Sequence, residues 1–184
     1  GPTLSAFERV FCSSGAPESE LYAAEEFIRL FKEFTGKELA MERTNSQSGN
    51  IILIGAEAAV AAGLPANTEK MGEEGFTIEI AMDRLAIYGG RPRGTLYGVY
   101  EFFEHYCGVR FLTYDHTFYP AEGKDKEYRI KGRSYSFKPI FAAFRQSYYG
   151  ETNRNPAFAA QLHTNTVSGP EKFGGTSGYR RVSH

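Results

Sequence analysis

Tryptophan is absent from these 184 residues, cysteine and histidine are scarce, and no long apolar run occurs. Tryptophan stacks on sugar rings more often than any other side chain, so its absence argues against a dedicated carbohydrate-binding module. Cys12 and Cys107 are the only cysteines and lie far apart, with neither metal-ligand spacing nor a redox motif. They read as two buried small hydrophobes, with a disulfide as the alternative that sequence alone does not test. His105, His116, His163 and His184 are scattered. Glu104-His105 superficially suggests a metalloprotease helix, but no second histidine stands one turn away, since position 101 is Glu and position 109 is Val. No metal or cofactor is therefore expected. Charge of one sign is also missing: 21 basic and 22 acidic side chains are interspersed, leaving a net charge of −1. Such a chain has no basic stripe for a phosphate backbone, which excludes nucleic acid as an expected partner. No segment approaches the roughly 20 apolar residues that span a bilayer. No secretory leader is visible, although Gly1-Pro2 has the look of a cloning boundary and is compatible with a removed one.

What is present is a large apolar and aromatic complement, with 15 Phe and 12 Tyr. Residues 7–13 read as a first strand. Pro17 suits the first turn of a helix, where its missing N–H costs nothing. Leu21, Ala24, Phe27, Ile28, Phe31 and Phe34 then recur at three- and four-residue steps and mark one helix face, closed by Gly36. A short strand over 39–42 and a polar, hairpin-like loop over 44–49 precede the continuous apolar run Ile51-Ile52-Leu53-Ile54. That run is the mark of a strand covered on both faces. A short helix over 57–62 and a polar loop over 66–74 follow. Phe76-Thr77-Ile78-Glu79-Ile80 alternates and pairs with Leu85-Ala86-Ile87-Tyr88 as an antiparallel hairpin. A glycine corner leads into a helix over 95–106, with Leu96, Val99, Tyr100, Phe103 and Tyr106 facing inward, and Gly108 ends it. Val109-Arg110-Phe111-Leu112 is a strand, 127–130 a weaker one, and 136–139 extends the chain outward. After a last apolar strand over 141–145, the segment 148–184 is rich in Gly, Asn, Ser and Thr and lacks a hydrophobic face. The expected fold is α+β: a mixed sheet with two main helices packed on one face. The first domain spans 1–138, and 139–184 begins a second, barrel-like one.

Three groups of residues invite a chemical reading. Glu101 and Glu104 stand three apart on a helix, but their neighbours Val99 and Phe103 take the inner face, so both acids are expected in solvent. The adjacent pairs Glu25-Glu26 and Glu73-Glu74 do not face each other and also read as surface charge. Gly89-Gly90-Arg91-Pro92-Arg93-Gly94 lies between strand and helix like a phosphate loop. It has neither the Gly-Lys-Ser/Thr of one such motif nor the three spaced glycines of another, and it is read as a tight corner.

Six of these pieces, in register, resemble the N-terminal domain of family-67 α-glucuronidases and the equivalent pre-barrel domain of family-20 β-hexosaminidases. They are Ala23 to Gly36 with Leu39; Ile51 to Gly55; Gly75-Phe76-Thr77-Ile78; Ile87-Tyr88-Gly89-Gly90; Arg93-Gly94-Thr95-Leu96-Tyr97-Gly98-Val99; and Gly108-Val109-Arg110-Phe111. The likeness extends to large Bacteroidetes proteins in which such a domain precedes a catalytic region. It implies a non-catalytic accessory domain of a glycoside hydrolase, partnered by its own downstream barrel and acting in carbohydrate degradation, in a periplasmic or extracellular setting. Catalytic carboxylates in these families lie in the barrel, so none is expected here. The resemblance also places Arg145, at the end of the first barrel strand, in contact with the glycan substrate, with Tyr148 and Tyr149 as wall residues. The competing reading is a free-standing carbohydrate- or protein-binding module using exposed Tyr114, Tyr119, Tyr148 and Tyr149. An accessory domain should expose an apolar patch where the next domain packs; a module should carry a concave aromatic site.

Overall fold

The apolar run at 51–54 fixes the centre of the sheet, since four consecutive buried residues need cover on both faces. The computed structural model describes residues 1–44, 49–130 and 132–138. Its strands are β1 (Arg9–Phe11), β2 (Ala40–Glu42), β3 (Ile51–Ile54), β4 (Phe76–Ile80), β5 (Arg84–Gly89), β6 (Arg110–Thr113), β7 (His116–Phe118) and β8 (Tyr135–Phe137). Its helices are α1 (Glu18–Thr35), α2 (Ala56–Ala61), α3 (Thr68–Met71) and α4 (Gly94–Glu101), the last continuing as a π turn over Phe102–Tyr106. Six strands form one sheet in the order β2-β1-β3-β5-β4-β8. β2, β1, β3 and β5 run parallel, while β4 is antiparallel to both β5 and β8. A separate two-stranded sheet joins β6 to β7.

The expected α+β architecture is the observed one. Alternate residues of the sheet divide between two cores. Val10, Ile52, Ile54, Leu85, Ile87 and Ile78 meet α1 and α4, while Phe11, Ile51, Leu53, Ala86 and Tyr88 meet Ala58 and Ala59 of α2. Along α1 the buried stripe is Ala23, Ala24, Phe27, Leu30, Phe31 and Phe34; Leu21 and Ile28, expected in it, are half-buried at its margins. Gly36 closes the helix in the left-handed region (φ 82°), its N–H donating to the Lys32 carbonyl. Pro17 stands one place earlier than expected, at the N-cap, with an extended ψ of 161°.

Several expectations change in the structure. β2 and β3 do not pair as the hairpin expected across 44–49, because they flank β1 and both run parallel to it. Within 66–74, Asn67 caps α3 by accepting from the Glu69 and Lys70 N–H groups, a local device that a polar composition conceals. Residues 127–130 form no strand; Arg129 makes only an isolated bridge to Thr3. Residues 135–137 do not lead outward but complete the main sheet beside β4, where Phe137 packs on Phe76 at 5.4 Å. The second helix is buried almost all round, because it is held between the sheet and α1. Its π turn lets the consecutive Phe102 and Phe103 both reach Phe27, at 5.7 and 4.9 Å, which a regular helix would keep apart.

Candidate functional site

The carboxyl ends of β1, β3 and β5 and the amino ends of α1 and α4 meet at the glycine corner. In open α/β sheets this is the end that holds ligands, so it is the first place to look. Gly89, Gly90 and Gly94 are required here by close approach. A Cβ on Gly89 would stand 2.5 Å from the Gly75 carbonyl oxygen, and one on Gly90 would overlap the Gly72 carbonyl. The Gly90 N–H donates to the Gly75 oxygen at 2.9 Å, and the Gly89 N–H donates to the Thr95 hydroxyl at 3.0 Å. The two loops are laced backbone to backbone, which leaves no cradle for a phosphate.

Both arginines of the corner are held by carboxylates. Arg91 donates from Nε to Glu20 Oε2 at 3.0 Å, and its Nη2 lies 3.9 Å from Glu57 Oε2. Glu20 is buried, and its Oε1 also accepts the Ala56 N–H at 3.3 Å. That carboxylate sits against Gly55, whose φ of 103° and missing Cβ make room for it. Arg93 is 1 % exposed and donates to Glu73 Oε1 at 2.7 Å, with Glu74 Oε2 3.9 Å away. Glu74 is therefore buried beside a guanidinium, not the surface charge its sequence context suggests. The corner is an internal clamp, consistent with its reading as a tight turn. Beside it, Ser13, Glu57, Val60 and Arg91 border a shallow cleft of about 490 Å³ with no aromatic wall.

Glu26, also expected in solvent, is buried on the side of α1 that meets Tyr100 of α4. It accepts the Tyr100 hydroxyl at 2.7 Å and a bidentate pair of hydrogen bonds from Arg29 at 2.8 Å. Burial, then the Glu26 charge, raises the Tyr100 phenol well above its ordinary value. Glu101 is only 17 % exposed and lies 3.3 Å from His105 Nδ1. Glu104 is half-buried, and burial followed by repulsion from Glu101 raises its carboxyl. Both acids, expected in solvent, are thus partly withdrawn from water at the end of α4 and its π turn. Cys12 and Cys107 are both free and buried. Burial pushes the Cys12 thiol up to about 11, and Cys107 rises likewise. Among the described residues no cluster of His, Cys, Asp and Glu could hold a metal, and no helix is long and apolar enough to cross a membrane.

Arg145, Tyr148 and Tyr149 lie outside the described residues. Of the other tyrosines singled out, Tyr114 is 67 % exposed at the β6–β7 turn, while Tyr119 is half-buried beside Arg29. The strand over 109–112 was legible in sequence, but its pairing with 116–118 as a hairpin exposing Leu112 and Phe118 was not.

Residues 4–102 match the family model described as glycosyl hydrolase family 67 N-terminus. No curated protein matches the chain. Among solved structures the chain resembles a β-hexosaminidase of Streptomyces plicatus, at 13 % identity and a TM-score of 0.53, covering 85 % of this chain and 29 % of that one. It resembles a family GH20 β-N-acetylhexosaminidase of Streptomyces coelicolor A3(2), at 12 % and 0.50, covering 86 % and 29 %. It also resembles a family GH115 4-O-methyl-α-glucuronidase with specificity for decorated arabinogalactans, at 15 % and 0.51, covering 86 % and 24 %. At these identities the likeness is one of fold, and the chain spans less than a third of each of these proteins.

Proposed function

Because the chain belongs to the family described as glycosyl hydrolase family 67 N-terminus, we propose that it is an accessory domain of a glycoside hydrolase. In this reading the sheet-and-helix body buttresses a catalytic domain built by the polypeptide after Lys138 and shapes one rim of its active site. The observation that carries the reading is the family match over residues 4–102, which falls wholly within the sheet body. The fold supports it, since the same arrangement occupies a minor share of larger glycosidase chains.

The chemistry of the described residues is in keeping with a supporting role. Glycoside hydrolysis calls for two carboxyl groups about 5–9.5 Å apart across one bond, with room for a sugar between them. Here Glu20, Glu26, Glu73 and Glu74 are engaged with arginines, and Glu101 lies against His105. Hydrolysis is therefore assigned to the downstream domain, whose glycan and mechanism follow from its own residues. Arg145 would grip substrate hydroxyls or a carboxylate there through its planar, five-donor guanidinium, with Tyr148 and Tyr149 beside it. A periplasmic or extracellular setting suits an enzyme of glycan degradation.

A glycan-array screen on this chain and on the intact enzyme tests the reading, with Arg145→Ala introduced into both. Binding by the intact enzyme alone, weakened by the substitution, is the expected result. Binding by the 184-residue chain by itself would overturn the reading in favour of an independent module.

A further inference from the structure

The π turn that ends α4 faces the segment 132–137, which carries β8. A Cβ on Gly132 would overlap the Tyr106 ring, and the Tyr106 hydroxyl donates to the Arg133 carbonyl. Burial pushes the Tyr106 phenol up to about 12, so it stays a donor at ordinary pH. One residue earlier, His105 lies nearly parallel to the Tyr135 ring, with 10° between the planes and 6.4 Å between centroids. The sheet holds the same segment. The Ile80 N–H donates to the Ser134 hydroxyl at 3.0 Å, the Thr77 and Ser136 hydroxyls meet at 2.8 Å, and Phe137 packs on Phe76. β8 itself has only three residues and sits at the sheet edge, with Tyr135 and Ser136 exposed. Elements with few buried contacts open most readily, so each side chain that the π turn lends to β8 weighs on how often it opens.

One of those side chains titrates. His105 is 73 % exposed, and its Nδ1 lies 3.3 Å from Glu101 Oε2. Glu104 stands beside it, its carboxyl raised by burial and then by Glu101. From β6 the facing group is Arg110, which donates to the Glu104 carbonyl at 3.2 Å, and from β8 it is Tyr135. Two acids against one arginine favour a positive charge on the imidazole. Histidine is the side chain that ordinarily changes charge between about pH 5 and 8. As an imidazolium, His105 pairs with Glu101 and presents a cation to the Tyr135 ring; as a neutral ring it keeps only the aromatic contact. The gain is therefore present at the acidic end of that range and is lost as pH rises through it.

We propose that His105 is a proton-dependent latch on β8: charged, it holds the last described strand on the sheet edge, and neutral, it lets that strand open more often. The device sets how firmly the chain is fixed where it leaves the sheet. It goes beyond the accessory-domain reading and does not depend on it.

Hydrogen–deuterium exchange on the full 184-residue chain tests this at pH 5.5 and 7.5, each rate being divided by the intrinsic chemical rate at that pH. Peptides covering 132–138 are expected to be about two- to fivefold better protected at pH 5.5, the scale of one exposed ion pair. His105→Phe keeps a ring against Tyr135 without a titrating group and should abolish the difference; the side chain is exposed, so the fold is retained. Glu104→Gln removes the neighbouring titrating acid and should leave the difference in place. Equal protection at the two pH values in the unsubstituted chain would overturn the proposal. So would a difference that survives His105→Phe, or one that vanishes with Glu104→Gln. None of these failures touches the accessory-domain reading, which stands or falls on glycan binding by the intact enzyme.

Discussion

Glu20 shows how one side chain ties α1 to the ends of two strands, β3 and β5. Its buried carboxylate holds Arg91 and the Ala56 N–H while filling the space left by Gly55. Breaking a buried pair by removing one partner costs about 3–5 kcal/mol. Arg91 is 39 % exposed and regains water, so we expect Glu20→Ala to lower the unfolding free energy by about 2–3 kcal/mol, measured by urea denaturation. Cys12 gives a prediction about pH. Its thiol is raised from 9.0 to about 11 in the fold, chiefly by burial. The folded state therefore holds its proton more tightly than the unfolded chain does. The associated stability is fully present below pH 9 and is lost as pH rises through 11, amounting to about 2–3 kcal/mol. Thermal melts at pH 8 and pH 11 should show a smaller difference for Cys12→Ala than for the unsubstituted chain. An equal difference would contradict the assignment. Tyr100→Phe leaves Glu26 without one of its donors and should cost about 1.5–3 kcal/mol, the usual worth of a hydrogen bond to a charged group.

At the scale of elements, α4 displays a conflict between propensity and packing. Gly98 lies in its middle, where alanine would favour the helix by roughly 1 kcal/mol. However, a Cβ there would stand 2.7 Å from Ile87 Cγ2 and 3.2 Å from Phe76 Cβ. Forcing a methyl into such a seam costs about 1–3 kcal/mol, so packing wins or breaks even. Gly98→Ala is expected to lower the thermal midpoint, and a rise would show that α4 can move off the sheet without loss. The corner preceding α4 has less freedom still. Gly90→Ala would press a methyl into the backbone of Gly72, which cannot swing aside as a side chain can. A loss of more than 3 kcal/mol, or failure to fold, is expected, at the severe end of single substitutions.

Across the whole molecule, the sheet body is closed at one edge by β8, a strand distant in sequence from its partner β4, with Phe137 set opposite Phe76. Between them in sequence, Tyr128 meets Phe34 edge-on at 5.4 Å, and the Tyr106 hydroxyl donates to the Arg133 carbonyl. The result is a body whose glycine corner is filled by its own ion pairs and whose β6–β7 hairpin exposes Leu112, Tyr114 and Phe118. That division fits a domain that supports a neighbour more than one that binds a glycan by itself.

The sequence alone determined the elements whose signals are local and periodic. The stripe of α1, the buried run of β3, the β4–β5 hairpin and the glycine corner all follow from the spacing of neighbouring residues. The pattern of motifs was enough to point to the family as well. Tertiary structure decided what depends on distant partners. Glu26 and Glu74 look like surface acids in sequence, and each is buried beside an arginine in the fold, as is Glu20. The placement of β2 and β3 on opposite sides of β1, and the recruitment of β8 to the sheet edge, rest on pairings between segments far apart in the chain. A strand of three residues carries too little pattern to announce its neighbour; only the unpaired edge that it satisfies selects its place.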